Sequence, residues 1–297
     1  MLLNRKSVEL LAPAGTWDAL VAGVESGADA VYLGGKHFNM RMHEGDFNFD
    51  DEMLKKAINY THEHGVHLYI TLNNLISDEE VPALREYLAY LNEIRPDALL
   101  VQDFAVLELV HEMNLNIPIH TSVMMNTHNE HAIEKLKEYG ITRIVVGREM
   151  TLSELSLFRE RTGIEVEYFM HGDMCMSESG QCIHSGVVFG QSGNRGRCLK
   201  PCRWPYQLID EQSGEVLDSE GPGPYKLALK DMCMYRSIPQ LIQAGVFSFK
   251  IEGRMRPAPF VRRIVSTYRK AIDAYLADPA GYQVDEEGWK SLYENRA

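Results

Sequence analysis

A chain of 297 residues, 45% of them hydrophobic, can bury a large core, and α/β barrels use this length as a single domain. Its 42 acidic against 30 basic side chains leave a formal charge of -12, so DNA is not an expected partner and RNA must be met by a local basic patch working against the overall field. The N-terminus MLLNRKSVELLAPAG has no signal-peptide-like apolar run, and no stretch approaches about 18 consecutive apolar residues, so no membrane span and a cytoplasmic location are expected.

In chain order the sequence predicts strands at VELLAPAG (8–15), AVYLGG (30–35), HLYITLNN (67–74), ALLVQD (98–103), IPIHTSV (117–123), RIVVGRE (143–149) and VEYFMHG (166–172). Helical stretches precede all but the first, from TWDALVAGVESG (16–27) to TLSELSLFRERTG (151–163). An eighth pair, IPQLIQAG (238–245) and VFSFKIEGR (246–254), comes late and is followed by the long helix APFVRRIVSTYRKAIDAYL (258–276). Nearly continuous apolar strands separated by helices indicate parallel βαβ units buried on both faces. Eight of them predict a TIM-like (β/α)8 barrel, a single domain over residues 1–297, with an open doubly wound sheet as the alternative.

Residues 173–236 break this grammar between the seventh and eighth strands. An insertion there lies on the C-terminal face of a barrel, where active sites of this fold occur, and a loop this long needs something to order it. The polar strand ends should converge beneath it: Asn73, Asn74, Gln102, Asp103, His120, Thr121, Ser122, Arg148, Glu149, His171, Glu252 and Arg254. Each is also what any exposed strand end carries. His120, His171, Arg148 and Arg254 stand out, because imidazole titrates near neutrality and a guanidinium clamps a carboxylate through two hydrogen bonds. Glu252 joins them as a catalytic candidate.

The insertion is cysteine-rich: Cys175, Cys182, Cys198 and Cys202 are separated by six, fifteen and three residues. In a reducing compartment such spacing favours metal ligands over disulfides. Four thiolates fit an iron–sulfur cluster of the 4Fe–4S type; zinc is the alternative, although its ribbons prefer two tight pairs. Cys233, the fifth, is either a reserve ligand or a small buried hydrophobe. Arg195, Arg197, Lys200 and Arg203, followed by Trp204 and Tyr206, could hold phosphates and stack a base. Equally, they could offset the charge of a thiolate-bound cluster and pack over it.

MHGDMCMSESGQC followed by SGNRGRCLKPCRWPY resembles the signature of the U32 family of collagenase-like peptidases. ELLAPAGTWDAL, GADAVYLGG, FNMR, GVHLYITLNN, LKDMC and FKIEGRM agree, so the resemblance covers nearly the whole chain. It implies a barrel-like domain and a cluster on Cys175, Cys182, Cys198 and Cys202, although some members draw one ligand from elsewhere. It also implies oxygen-independent hydroxylation with prephenate as oxygen donor, acting on wobble uridine of transfer RNA, on a ribosomal RNA cytidine or on a quinone precursor. Longer members continue into a C-terminal domain, which suggests a truncated chain or a short paralogue with a longer partner. The expectation is prephenate-dependent hydroxylation of tRNA uridine, with Arg148 or Arg254 clamping the acid, His120 or His171 moving a proton, and the basic residues gripping RNA. Two alternatives stand beside it. A peptidase would have to work without a His-Glu-x-x-His or Gly-x-Ser-x-Gly motif, with a cysteine beside His184 as the conceivable nucleophile. A non-catalytic cluster-binding subunit would dock the longer paralogue.

Overall fold

Thr16, Asp50, Asp103, Asn129 and Thr151 each stand before an apolar-periodic run, and each accepts a hydrogen bond from a backbone N–H of the first turn that follows. In the computed structural model, which describes residues 8–217 and 223–293, these caps start helices α1 (Trp17–Glu25), α2 (Asp51–Glu63), α4 (Phe104–Glu112), α5 (Glu130–Lys137) and α6 (Leu152–Thr162), with α3 (Val81–Ile94) between α2 and α4. They alternate with strands β1 (Glu9–Pro13), β2 (Ala30–Gly34), β3 (His67–Leu72), β4 (Ala98–Val101), β5 (Ile119–Thr121), β6 (Arg143–Val145) and β7 (Glu165–Gly172). The insertion carries α7 (His184–Phe189). After it come β8 (Met232–Cys233), α8 (Ile238–Gln243), β9 (Ser248–Ile251), α9 (Ala258–Ala277) and α10 (Glu286–Tyr293).

Strands β1 to β7 pair in parallel in sequence order, and β9 sits between β7 and β1, so eight strands close a barrel. Closure rules out the open doubly wound sheet. One strand was not anticipated: β8 pairs antiparallel with β7, placing Cys233 opposite His171 and extending the sheet at the barrel rim.

Apolar residues fall into two clusters because each strand presents alternate residues to opposite faces. Leu10, Leu33, Leu68 and Ile70 pack outward under the helices, while Leu11, Ala30, Tyr32, Tyr69, Leu100, Val145 and Phe169 fill the interior. Towards the N-terminal end the filling becomes ionic. Arg143 Nη1 donates to Glu9 Oε1 at 2.6 Å, Lys250 Nζ donates to Glu167 Oε1 at 2.7 Å, and Ser248 and Tyr69 hydroxyls also donate to Glu9. Such a layer ties β1, β6, β7 and β9 together across the barrel. Removing one partner of a buried pair of this kind typically costs about 3–5 kcal/mol.

The insertion leaves β7 at Gly172, whose φ of 114° suits glycine and whose missing Cβ makes room for Glu252. It then folds back over the strand ends. Arg195 donates to Glu80 (2.7 Å), Leu75 N–H to Asn194 O (2.9 Å), and Ser179 N–H to Glu149 (3.1 Å), so the loops after β3 and β6 on the C-terminal face hold it down. Among the described residues no helix is long and apolar enough to cross a membrane.

Candidate functional site

The strand ends and the underside of the insertion enclose a cavity of about 220 Å³. Its floor is barrel interior: Tyr32, Thr71, Phe169 and Lys250. Residues just past the strand ends, Asn73, Ser122, Arg148, Glu252 and Arg254, contribute walls, and Arg41 enters from the loop after β2.

All four insertion cysteines, Cys175, Cys182, Cys198 and Cys202, line the same cavity as free thiols. Cys175 is open to the cavity, yet the packed walls around it desolvate its thiolate and push the pKa up, aided by Glu252, Cys202 and Cys198 and opposed by Arg148. Gly193 fits between two of the others: a Cβ there would lie 3.7 Å from Cys198 Cβ and 4.0 Å from the Cys182 carbonyl. Donors point at two of the sulfurs, the Lys200 N–H at Cys198 Sγ and Arg203 Nη1 at Cys202 Sγ, each at 3.4 Å. Among the described residues no group of three or more His, Cys, Asp or Glu side chains is drawn in to hold a single metal ion. Cys233 lies apart from the cavity, its Sγ 3.8 Å from the Tyr268 hydroxyl of α9.

Arg254 is the most constrained of the strand-end residues. Its guanidinium is buried and donates to Asn39 Oδ1, Thr71 Oγ1, Asn48 Oδ1 and the Phe47 carbonyl, all neutral acceptors. Burial and the nearby Arg41 push its pKa down to about 10, against the opposing pull of Tyr32 and Glu252. Space for it exists only because residue 34 is glycine; a Cβ there would run into the guanidinium. Glu252 accepts from the Tyr32 hydroxyl at 3.3 Å, and the Arg148 guanidinium lies 3.7 Å from the centre of the Phe169 ring.

The two histidines do not join this group. His120 is buried below the floor, edge-on to Tyr69 at 4.9 Å; burial, Arg143 and Lys250 hold its pKa well below the usual value, so it is neutral. His171 would face inward by alternation with Glu167 and Phe169, but a register shift between Phe169 and His171 turns it outward. There Nδ1 meets the Tyr268 hydroxyl at 3.1 Å. Asp103 caps α4 and holds Ile76 N–H, and Glu149 anchors the insertion, so both have structural partners. Asn74, Gln102 and Thr121 are buried outside the cavity lining.

Of the basic residues, Lys200 and Arg203 line the cavity, Lys200 3.5 Å from Asp173 and Arg203 donating to the Met174 carbonyl at 2.6 Å. Burial raises the Asp173 pKa, but Lys200, Arg256 and Arg203 outweigh it and hold the carboxyl below its ordinary value. Arg195 is engaged by Glu80 and Leu75, and Arg197 reaches His43 at 3.2 Å. Trp204 packs on Phe189 with ring centres 5.0 Å apart, and the Tyr206 hydroxyl donates to Pro201.

The family model of peptidase family U32 matches residues 15–296. The chain belongs to peptidase family U32. A relative named tRNA hydroxylation protein P1, from Bacillus subtilis, is 34% identical over 97% of this chain and 68% of its own length. The 5-hydroxycytidine synthase of 23S rRNA from Escherichia coli is 35% identical over 94% of this chain, which spans only 41% of that protein. A relative named collagenase, from Porphyromonas gingivalis, is 31% identical over 92% of this chain and 67% of its own length. A solved U32 peptidase structure superposes with a TM-score of 0.56 at 14% identity, covering 84% of this chain and 94% of that one, and supports the barrel fold.

Within this U32 chain, Tyr32, Thr71, Phe169, Lys250 and Arg41 line the cavity without having been singled out from the sequence. A signal was present for Lys250. A lysine inside the buried run Ser248–Ile251 must either face a barrel interior or find a carboxylate, and it does both.

Proposed function

We propose that this chain acts in RNA hydroxylation, forming 5-hydroxyuridine at the tRNA wobble position with prephenate as oxygen donor and a 4Fe–4S cluster on Cys175, Cys182, Cys198 and Cys202. The observation that carries the reading is that these four thiols line one chamber with the buried Arg254, whose hydrogen-bond acceptors are all neutral. A structural zinc would draw four sulfurs to about 2.3 Å of one point. Thiols distributed around a chamber, with N–H donors aimed at two of them, suit the larger iron–sulfur unit, whose potential such hydrogen bonds tune. When bound, the cluster would supply one-electron chemistry.

The remaining roles belong to the chain. Arg254 spends Nη1 and Nη2 on neutral acceptors and keeps only Nε without a partner, so it lends positive charge to the cavity wall, and Arg148 on the Phe169 face supplies a second cation for a dianionic acid. Lys250, fixed by Glu167, presents positive charge at the floor. Glu252 and the Tyr32 hydroxyl form a hydrogen-bonded pair in the cavity lining, and they replace His120 and His171 as candidates for handling a proton.

Anaerobic purification with iron and sulfide analysis, followed by mass spectrometry of tRNA nucleosides after incubation with prephenate, tests the reading. Stoichiometric iron and sulfide with prephenate-dependent 5-hydroxyuridine is the expected result. Gelatin cleavage that survives iron removal, with no modified uridine, would replace it with the peptidase reading.

A further inference from the structure

Beside the cysteine-lined cavity lies a second cleft of about 310 Å³, and the two share Arg41, Asp173, Lys200, Arg203 and Glu252 as a common wall. Their chemistry differs. The first is floored by rings and roofed by thiols, whereas Gly253 and Met255 are the only uncharged residues lining the second. Four cations, Arg41, Lys200, Arg203 and Arg256, face two carboxylates, Asp173 and Glu252, so the cleft carries an excess of positive charge in a chain whose formal charge is -12.

Three of these cations, Arg41, Lys200 and Arg256, pair loosely with carboxylates, while Arg203 is tied to the Met174 carbonyl at 2.6 Å. Lys200 Nζ and Arg256 Nη2 each lie 3.5 Å from Asp173, Arg256 lies 3.7 Å from Asp231, and Arg41 lies 3.8 Å from Glu252. Several arginine pairs elsewhere close more tightly, Arg143–Glu9 at 2.6 Å, Arg262–Glu25 at 2.7 Å and Arg85–Glu112 at 2.9 Å, although Arg161–Glu130 stands at 3.3 Å. Several donors converging on one cleft at the longer distances leave hydrogen-bonding capacity for an incoming anion with several acceptor oxygens. The Arg256 guanidinium is held 5.0 Å from the centre of the Phe260 ring, which limits its freedom to collapse onto a carboxylate.

We propose that this second cleft is a phosphate site for the RNA nucleotide whose base enters the cysteine-lined cavity, with Arg256 and Lys200 as its principal ligands. The inference rests on the RNA reading above. An enzyme that works on a base must take it out of the stack, and a fixed phosphate beside the base pocket is what positions an extruded nucleotide. Two adjoining chambers, one for a planar ring and one for an anion, match the two halves of a nucleotide.

The test uses the anaerobically purified full chain and three variants, Arg256→Gln, Lys200→Gln and the charge-conserving Arg256→Lys, matched for visible absorption and thermal midpoint. Binding of a fluorescein-labelled anticodon stem–loop is followed by anisotropy across a salt series, and binding of uridine 5′-monophosphate, uridine and prephenate by calorimetry. Each Gln variant is expected to weaken RNA binding roughly three- to tenfold and to reduce the salt slope by about 0.7, the single-strand value for one lost phosphate contact. It should also weaken the monophosphate while leaving uridine unchanged, and Arg256→Lys should keep the slope. Wild-type RNA binding with unaltered affinity and slope in both Gln variants overturns the phosphate site and leaves the RNA reading standing. Monophosphate binding that the variants lose, in a wild-type chain that does not bind the RNA, keeps the site and removes the RNA reading. Loss of prephenate in place of the monophosphate overturns the proposal and assigns the cleft to the small acid.

Discussion

Arg254 is a charge held where charge is costly. With its pKa pushed down to about 10, the folded state disfavours the protonated guanidinium; the cost is present at all pH values below about 10 and is relieved only as pH rises through that value. An anion in the cavity would reverse it, so a dicarboxylate should raise the thermal midpoint of the wild type and fail to do so in Arg254→Gln. Differential scanning fluorimetry with prephenate over pH 6–8 reads this, and an equal shift in both proteins would remove Arg254 from the site. Asp97, at the opposite end of the barrel, shows the other sign. Burial alone would raise its pKa, but His67, the Leu68 N–H and His62 hold it down to about 2, while the same contact raises His67. The Asp97 contribution to stability is present above its unfolded pKa near 3.8 and fades as pH falls towards about 2. That of His67 is present below 6.5 and fades as pH rises through its raised value. Asp97→Asn should therefore flatten the urea midpoint on both flanks of a pH 3–8 series; a profile that keeps its shape would show that this cluster contributes nothing.

At the scale of elements, the insertion is held down by contacts whose loss should separate positioning from binding. Arg195 reaches Glu80 and the Leu75 carbonyl, so it is a tether; the sequence, showing only a basic cluster, made it an RNA ligand. Because the pair is partly exposed, Arg195→Ala should cost only about 0.2–1 kcal/mol of global stability. It should nonetheless open the insertion to limited proteolysis and leave the RNA salt slope unchanged, whereas a slope reduced by about 0.7 would restore its phosphate role. The same contrast explains what the sequence could reveal. Strands β1 to β7 and β9 were legible because apolar runs between amphipathic helices have one economical closure, and the gathering of four cysteines followed from where the insertion leaves the barrel. His171 was not legible, since a bulge after Phe169 reverses alternation and no residue type announces it. Nor was β8, whose two residues are too few for any period. Cys233 lies in that strand, and this separates it from the other thiols. Lys250 was legible in principle: charge inside a buried strand is the mark of a barrel interior.

For the molecule as a whole, the barrel and the insertion draw on different sources of order. The barrel buries a continuous outer core and an inner apolar cluster, closes its sheet without an open edge among the eight parallel strands, and crosses its interior with the Glu9–Arg143 and Glu167–Lys250 pairs. In the insertion, Ile183, Val187 and Val188 are exposed, α7 is short, and the tethers are few. Its order should therefore depend on what the cysteines hold, because metal-binding free energy becomes folding free energy where the apolar core is thin. Removing iron anaerobically with a chelator should leave far-UV circular dichroism and the main thermal transition nearly unchanged, while residues 173–217 lose hydrogen-exchange protection and become accessible to trypsin at Arg195, Arg197 or Arg203. Reconstitution with iron and sulfide should restore protection in that segment alone. If the apo chain instead unfolds cooperatively as one unit, the insertion is part of the barrel's folding unit and the cluster serves stability as well as chemistry. If protection in the segment is indifferent to iron, the tethers at Glu80, Leu75 and Glu149 are sufficient by themselves, and the thiols must be explained by some task other than holding this loop in place.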